Sequence, residues 1–213
     1  MKEDAQLAVF GTSGHARDVV NVARLAGFRR IVLVARSADA ERGFLGLEVI
    51  AESDDLAMKL RDFSAIVAIG DNRTRARVMD TYPNLRYVNV VAPTASVGFD
   101  VELGRGVFVG HHAYIGPNTQ IDDGVIINAS SLIGHDCRVG AFAQVSPRAC
   151  VLGHVDLGRC VSVGAGAIII DGPPSDPLRI ADNVVIGMGV LVSQSIRAQG
   201  ITLIAKPNAI ALG

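Results

Sequence analysis

Between positions 97 and 169 an aliphatic residue falls on every sixth place: Val97, Leu103, Val109, Ile115, Ile121, Ile127, Ile133, Val139, Val145, Val151, Leu157, Val163 and Ile169. The residue that follows is usually small or polar, as in Gly98, Gly110, Gly116, Asn128, Gly134, Ser146 and Gly164. Neither an α-helix nor an ordinary strand repeats on six. A coil of three flat faces does, if each face takes one hexad, points its aliphatic residue into a triangular prism and turns at the corner. Such units bury their inner side only by stacking on one another, so the pattern predicts a solenoid. The chain is 49% hydrophobic but only 5% aromatic. That suits a slender prism filled by Val, Ile and Leu better than a wide globular core.

The repeat does not reach residues 1–92, and a chain of 213 residues has room for a second modest domain. Residues 7–10 form a short apolar run that ends in Gly11-Thr12-Ser13-Gly14-His15. Apolar residues at helical spacing over 16–26 then predict a helix packed on a sheet, ended by Gly27. Further strands are expected over 31–34, 45–50, 64–69 and 87–91, and helices over 53–60 and 73–82, the latter stopped before Pro83. Strand, glycine turn, helix and strand begin a parallel open sheet. The predicted architecture is an α/β unit over 1–92 followed by the prism over 93–213, with the boundary at Pro93.

Several classes are disfavoured. The net charge of −1 gives no general drive toward nucleic acid or an anionic membrane. Cys137, Cys150 and Cys160 lie in the repeat without metal-ligand spacing, and their odd number argues against a disulfide framework. The first residues show no signal-peptide pattern, and no apolar run reaches the ~18 residues of a membrane span. A cytoplasmic protein with no nucleic-acid partner and no membrane insertion is therefore expected.

The glycine turn has chemical content. Gly11 and Gly14 permit a tight turn and close backbone approach, and the helix start beyond them offers N–H groups to an anion such as a diphosphate. The same turn also fits a purely structural role. The second strand ends in Ala35-Arg36, without the acidic residue of a dinucleotide site, so a nicotinamide or flavin dinucleotide is disfavoured. Gly70-Asp71-Asn72 stands at the carboxyl end of another parallel strand, the ligand edge of an open sheet. Asp71 or Asn72 there can meet a ribose, base or sugar hydroxyl, or Asn72 can merely cap the next helix.

In the prism, the polar interruptions carry the information. His111 and His135 are four hexads apart and so on different faces; no compact histidine set results and no metal is assigned. His135-Asp136 is the better chemical candidate. Imidazole is neutral at cellular pH and can take a proton, and a neighbouring carboxylate can fix its tautomer. The competing reading is a turn aspartate beside an exposed histidine. The register then breaks at Asp171-Gly172-Pro173-Pro174-Ser175-Asp176-Pro177, which predicts a stiff extruded loop over 171–179 beside a ligand cleft. The apolar tail over 201–213 is expected to cap the open end of the prism.

Three segments together resemble a known group: Phe10-Gly11-Thr12-Ser13-Gly14-His15-Ala16-Arg17-Asp18-Val19, Ile69-Gly70-Asp71-Asn72, and Ile127-Asn128-Ala129-Ser130-Ser131-Leu132-Ile133-Gly134-His135-Asp136. With the hexads, the chain resembles the left-handed β-helix (hexapeptide-repeat) acyltransferases, and over nearly its whole length the bacterial nucleotide-amino-sugar N-acetyltransferases and sialic acid O-acetyltransferases. The resemblance implies an N-terminal Rossmann-like α/β domain with a parallel sheet and a C-terminal left-handed parallel β-helix. It implies a homotrimer with sites between neighbouring prisms, acetyl-CoA as co-substrate, and a nucleotide sugar as acceptor, as in polysaccharide biosynthesis.

By that resemblance His135 is the general base and Asp136 its support. Gly11, Ser13, Gly14, His15, Arg36, Asp71, Asn72 and Asn128 meet the nucleotide sugar. Gln144, Gly153, Gly164, Ile186 and Gly187 meet acetyl-CoA, with a backbone N–H near Gly153 as a candidate oxyanion donor. Three departures stand out: Arg36 replaces a usual acidic residue, Gln144 replaces a second histidine nine places after His135, and Ile204-Ala205-Lys206-Pro207 alters the usual ending. The implied reaction is acetylation of the 4-amino group of a UDP- or GDP-linked dideoxy amino sugar. O-acetylation of sialic acid or another sugar hydroxyl is its neighbour, and a non-enzymatic nucleotide-sugar-binding scaffold the rival of another class.

Overall fold

A computed structural model describes residues 5–36 and 46–204. The N-terminal unit has strands β1 (Gln6–Phe10), β2 (Arg30–Ala35), β3 (Val49–Ala51), β4 (Ser64–Val67) and β5 (Arg86–Tyr87), in the order β3-β2-β1-β4-β5. All pairings are parallel. Helix α1 (Gly14–Leu25) follows β1, the single turn α2 (Leu56–Lys59) precedes β4, and α3 (Asn72–Thr81) follows it. Gly27, at φ +96°, lets the chain leave α1 in a conformation other residues resist. Of the strand expected over 45–50, β3 covers only Val49 and Ile50 and runs on to Ala51; position 45 lies outside the described residues.

The strand expected over 87–91 is two. Arg86–Tyr87 closes the α/β sheet against β4, whereas Val90–Val91 pairs with Phe108–Val109 and is the first strand of the prism. The reason is in the register: Val91 stands six places before Val97, so its side chain already fits the stack. The repeat therefore begins ahead of Pro93.

Eighteen residues make one coil, as the pairing of Tyr114 with Leu132 and of Leu132 with Cys150 shows. The inward aliphatics, Val109, Ile115, Ile121, Ile127 and their successors, form one buried column. Each corner places one residue in the left-handed region, including Asn118 (φ 55°), Asp136 (φ 56°) and His154 (φ 52°) directly above one another. Asn and Asp bear that conformation at low cost, which is why they recur at the corners.

The three faces differ in what they show to the outside. The first, which we term the domain face, contains Phe108–Val109, Ile126–Ile127, Gln144–Val145, Ser162–Val163 and Val185–Ile186. Phe108 and Ile126 are buried there with Leu7, Val19 and Val22 of the α/β unit. The second, the apolar face, contains Tyr114–Ile115, Leu132–Ile133, Cys150–Val151, Ile168–Ile169 and Leu191–Val192. Its outward Tyr114, Ile168 and Leu191 are 41%, 42% and 65% exposed. The third, the charged face, contains Glu102–Leu103, Gln120–Ile121, Arg138–Val139, Val155–Leu157 and Leu178–Ile180. Its outward residues are Glu102, Gln120, Arg138, Asp156 and Arg179.

The extruded loop is shorter than expected. Leu178–Ile180 already pairs with Val155–Leu157, so the excursion is residues 171–177. The final strand, Thr202–Leu203, pairs with Val185–Ile186, and the expected cap beyond position 204 lies outside the described residues.

A buried side chain of α3 ties the two units together. Arg75 of α3 has no exposed surface. It donates to the carbonyls of Gly124 (2.6 Å) and Phe142 (2.7 Å) on the prism, to that of Ile69 (2.8 Å), and to Asn72 Oδ1 (2.8 Å). Burial pushes its pKa down to about 10, which still leaves it charged at neutral pH. Arg75→Met leaves those carbonyls without donors and is expected to cost about 3–5 kcal/mol of stability. Urea denaturation of the full chain measures it; an unchanged midpoint would refute the role.

Candidate active site

His135 and Asp136 sit at the corner where the apolar face turns into the charged face. Gly134 before them is required, because a Cβ there would come within 2.5 Å of Leu152 carbonyl carbon on the next coil. His135 Nδ1 lies 2.7 Å from Asp136 Oδ2. The bond to His135 holds the Asp136 carboxyl below its ordinary range, so it is an ionised acceptor and Nδ1 carries the proton. Nε2 is then the basic nitrogen, and the side chain is 54% exposed. Asn118, one coil below, donates to Asp136 Oδ1 at 3.4 Å.

The coil above completes the corner. Gly153 has no side chain where a Cβ would lie 2.8 Å from both Cε1 and Nε2 of His135. The ring of His154 stands edge-on to that of His135, centroids 5.1 Å apart at 87°. The loop over 171–177 rises from this same corner, and Asp171 Oδ1 accepts the N–H of Gly153 at 2.7 Å. The N–H foreseen as an oxyanion donor is thus already committed to a carboxylate.

His111 stands at another corner, as its four-hexad separation from His135 requires, whereas His154 joins His135 and Asp136 in one compact group. Position 154 is one coil of eighteen residues beyond Asp136, so the two are stacked. The signal was present in the spacing.

The nucleotide-side residues divide between several places. A cavity of about 750 Å³ at the carboxyl edge of the α/β sheet is lined by Gly11, Thr12, Ser13, Arg17, Arg36 and Arg77 among others. Gly11 (φ +118°) lies so close to Ala68 that a Cβ would sit 2.9 Å from its carbonyl oxygen. Gly14 opens α1 with nothing within 4 Å of the place a Cβ would take, so no close approach depends on it. His15 turns inward instead, edge-on to Phe108 at 5.0 Å, and its Nε2 is buried without a hydrogen-bond partner. Burial, helped by the charge of Arg75, lowers its pKa to about 4, so the ring is neutral at cellular pH.

Asp71 is the cap of α3, accepting from Thr74 N at 2.8 Å. Asn72 is buried and spent on the interface: its Nδ2 donates to Cys160 O (3.0 Å) and Ser162 Oγ (2.9 Å). It is a clamp between domain and prism, and the cap of α3 is Asp71 instead. Asp71 shares a separate hollow of about 360 Å³ with Gln144, on the domain face. Asn128 and His111 line a small hollow with Asp18 and Asn21 of α1, at the corner between domain face and apolar face.

The residues expected around acetyl-CoA are similarly dispersed within one chain. Gly153 is at the His135 corner, Gly164 and Gly187 are at the Asn128 corner, and Gln144 is on the domain face. Ile186 is 1% exposed and points into the prism core, so its side chain cannot meet a cofactor. In a triangular prism the His135 corner is the edge opposite the domain face. His135 and the sheet-edge cavity therefore lie on opposite sides of the chain.

Comparison with known proteins fits this anatomy. Residues 6–82 match the PglD N-terminal domain family, and residues 100–135 and 112–147 match the bacterial transferase hexapeptide family. The structure of a histidine-to-asparagine mutant of perosamine N-acetyltransferase from Caulobacter crescentus, in complex with CoA and GDP-perosamine, is 31% identical over 90% of each chain, with a TM-score of 0.82. The acetyltransferase domain of PglB from Neisseria gonorrhoeae FA1090 is 26% identical, covering 96% of this chain and 98% of that one, with a TM-score of 0.84. GDP-perosamine N-acetyltransferase of Escherichia coli O157:H7 is 26% identical over 81% of each. A UDP-3-O-acylglucosamine N-acyltransferase of Herminiimonas arsenicoxydans is 34% identical over 49% of this chain, which spans only 28% of that protein's length. The chain belongs to the hexapeptide-repeat, left-handed β-helix acyltransferase family. Within it, the likeness over nearly the whole length is to nucleotide-sugar N-acetyltransferases.

Gly153→Ala tests the corner. The added methyl group must displace the His135 ring, since a contact of 2.8 Å cannot stand. The expected result is a folded protein whose acetyl-transfer kcat falls by about 10²-fold; wild-type turnover would show that the ring position does not matter.

Proposed function

We propose that the protein transfers the acetyl group of acetyl-CoA to the 4-amino group of a nucleotide-linked dideoxy amino sugar, GDP- or UDP-linked. The observation that carries this reading is the His135–Asp136 pair: an exposed imidazole whose Nδ1 is held by a carboxylate, leaving Nε2 basic. Likeness to proteins described as binding CoA and GDP-perosamine supports the substrate class. The neutral amine attacks the thioester carbonyl carbon, and Nε2 removes its proton as the C–N bond forms. Asp136 offsets the imidazolium charge. The tetrahedral species then expels the CoA sulfur, which takes up the proton. No covalent acyl-enzyme is needed, and alignment of two bound substrates supplies much of the rate.

The site requires a second copy of the chain. We infer a homotrimer with the apolar face of each prism toward the three-fold axis. That arrangement covers Tyr114, Ile168 and Leu191, whose exposure in one chain is otherwise unusual for such large apolar side chains. It also sets the His135 corner of one protomer against the Asn128 corner of the next. Gly153 of one chain then faces Gly164 and Gly187 of its neighbour across a single groove, beside that neighbour's α/β domain. The dispersion of predicted ligands within one chain becomes a convergence between two.

A thiol-release assay with acetyl-CoA across UDP-, GDP- and CMP-linked sugars tests the activity, with product lability to mild base separating amide from ester. His135→Ala should lower kcat by about 10²–10⁴-fold while the trimer persists in light scattering; full kcat would end the assignment. Ile168→Glu should yield monomers that lack activity although His135 is intact. A fully active monomer would overturn the shared site.

A further inference from the structure

We propose that His135, Asp136 and His154 form a site for a borderline divalent cation, Zn²⁺ above all, whose occupancy switches off acetyl transfer. The second half rests on the function proposed above; the first does not. Among the described residues these three form a cluster in which one ligand atom from each lies within 4.8 Å of the others. They come from two successive coils, and their backbones are held by the parallel pairing of Leu132 with Cys150 and by the left-handed corner turns at Asp136 and His154. The rings are 5.1 Å apart and nearly perpendicular.

Four-coordinate Zn²⁺ holds N and O ligands at about 2.0–2.2 Å, which separates them by roughly 3.3–3.5 Å. Rotation of the exposed His135 and Asp136 side chains toward the half-buried His154 closes the remaining gap without movement of the coil. Two imidazoles and one carboxylate suit Zn²⁺, Ni²⁺ or Cu²⁺ and not the oxygen-seeking Mg²⁺ or Ca²⁺. Three protein ligands leave a fourth position for water. Asn118, bonded to Asp136 from the coil below, steadies the carboxylate as an outer partner.

The consequence for the reaction lies in the Nδ1 proton. Nδ1 of His135 and Oδ2 of Asp136 face each other at 2.7 Å. A cation ligated by both takes the place of that proton, and the neutral ring then carries its single proton on Nε2, which has no lone pair left to accept the amine proton. Binding the metal and catalysis therefore exclude one another at one imidazole, without movement of the coil.

Chelator-stripped full-length protein, without sugar or CoA, is titrated with ZnCl₂ by calorimetry and with CoCl₂ by its visible d–d absorbance. The expected result is one ion per chain. Affinity should drop by about tenfold or more in His154→Asn and in His135→Asn, and should persist in His112→Asn, an exposed histidine at another corner. Asparagine keeps the left-handed turn at 154 and 112, so these variants fold. No stoichiometric binding by the wild type, or equal binding by all variants, overturns the site. Product formation, followed by mass so that Zn²⁺ capture of free thiol does not interfere, should be suppressed by Zn²⁺ in the wild type and at least about tenfold less sensitively in His154→Asn. Equal sensitivity overturns the switch. If metal-free wild type acetylates no acceptor, the function fails, and the titration still decides the site.

Discussion

Stacking of identical coils is the constraint on which the rest of the structure depends. Coils of eighteen residues, with one lengthened by the 171–177 excursion, hydrogen-bond to one another through three short parallel ladders, and the inward aliphatic column fills the space between. Side chains at equivalent places are thereby brought to the spacing of neighbouring strands, about 4.8 Å. Asn118, Asp136 and His154 owe their contact to this alone. The chemistry at the corner is thus written at an interval of eighteen, which no local helix or strand pattern displays.

The α/β unit is joined to this column by a buried polar network, not only by apolar contact. Arg75 binds carbonyls of both units, and Asn72 reaches from the start of α3 to the coil carrying Cys160 and Ser162. A buried guanidinium is costly to desolvate and tolerates few geometries. Satisfied on all sides, it fixes the orientation of the domain over the domain face. It follows that the sheet-edge cavity and His135 are held apart, on opposite sides of the chain, by a well-satisfied polar connection. Flexing of a single chain does not bring them together.

That separation gives the exposed apolar face its meaning. A prism alone leaves Tyr114, Ile168 and Leu191 in water, and its proposed ligands scattered over three places. In the trimer proposed above, closing three copies about this face would remove the apolar surface and align unlike corners in the same step. Hydrophobic burial and assembly of a catalytic groove then have one cause. A heterologous contact of the proposed kind would close as a ring with three equivalent grooves.

Much of this was legible in the sequence. The six-residue spacing of aliphatics foretold the prism, the glycine turns and apolar runs foretold the parallel sheet, and His135-Asp136 stood out because both interrupt a monotonous pattern. The hydrogen bond between them was not legible, since neighbouring side chains need not meet. Asn72 resembled a ligand or cap because its burial depends on the prism coil it clamps, eighty-eight residues away. The family resemblance set Ile186 beside the cofactor, whereas its place six after Ile180 and six before Val192 already marks it as inward. Local periodicity determined the elements by itself, since hydrophobic side chains repeat at the period of the backbone that buries them. Which polar groups meet was decided only by tertiary structure, because it depends on coil stacking and domain docking between residues far apart in the chain.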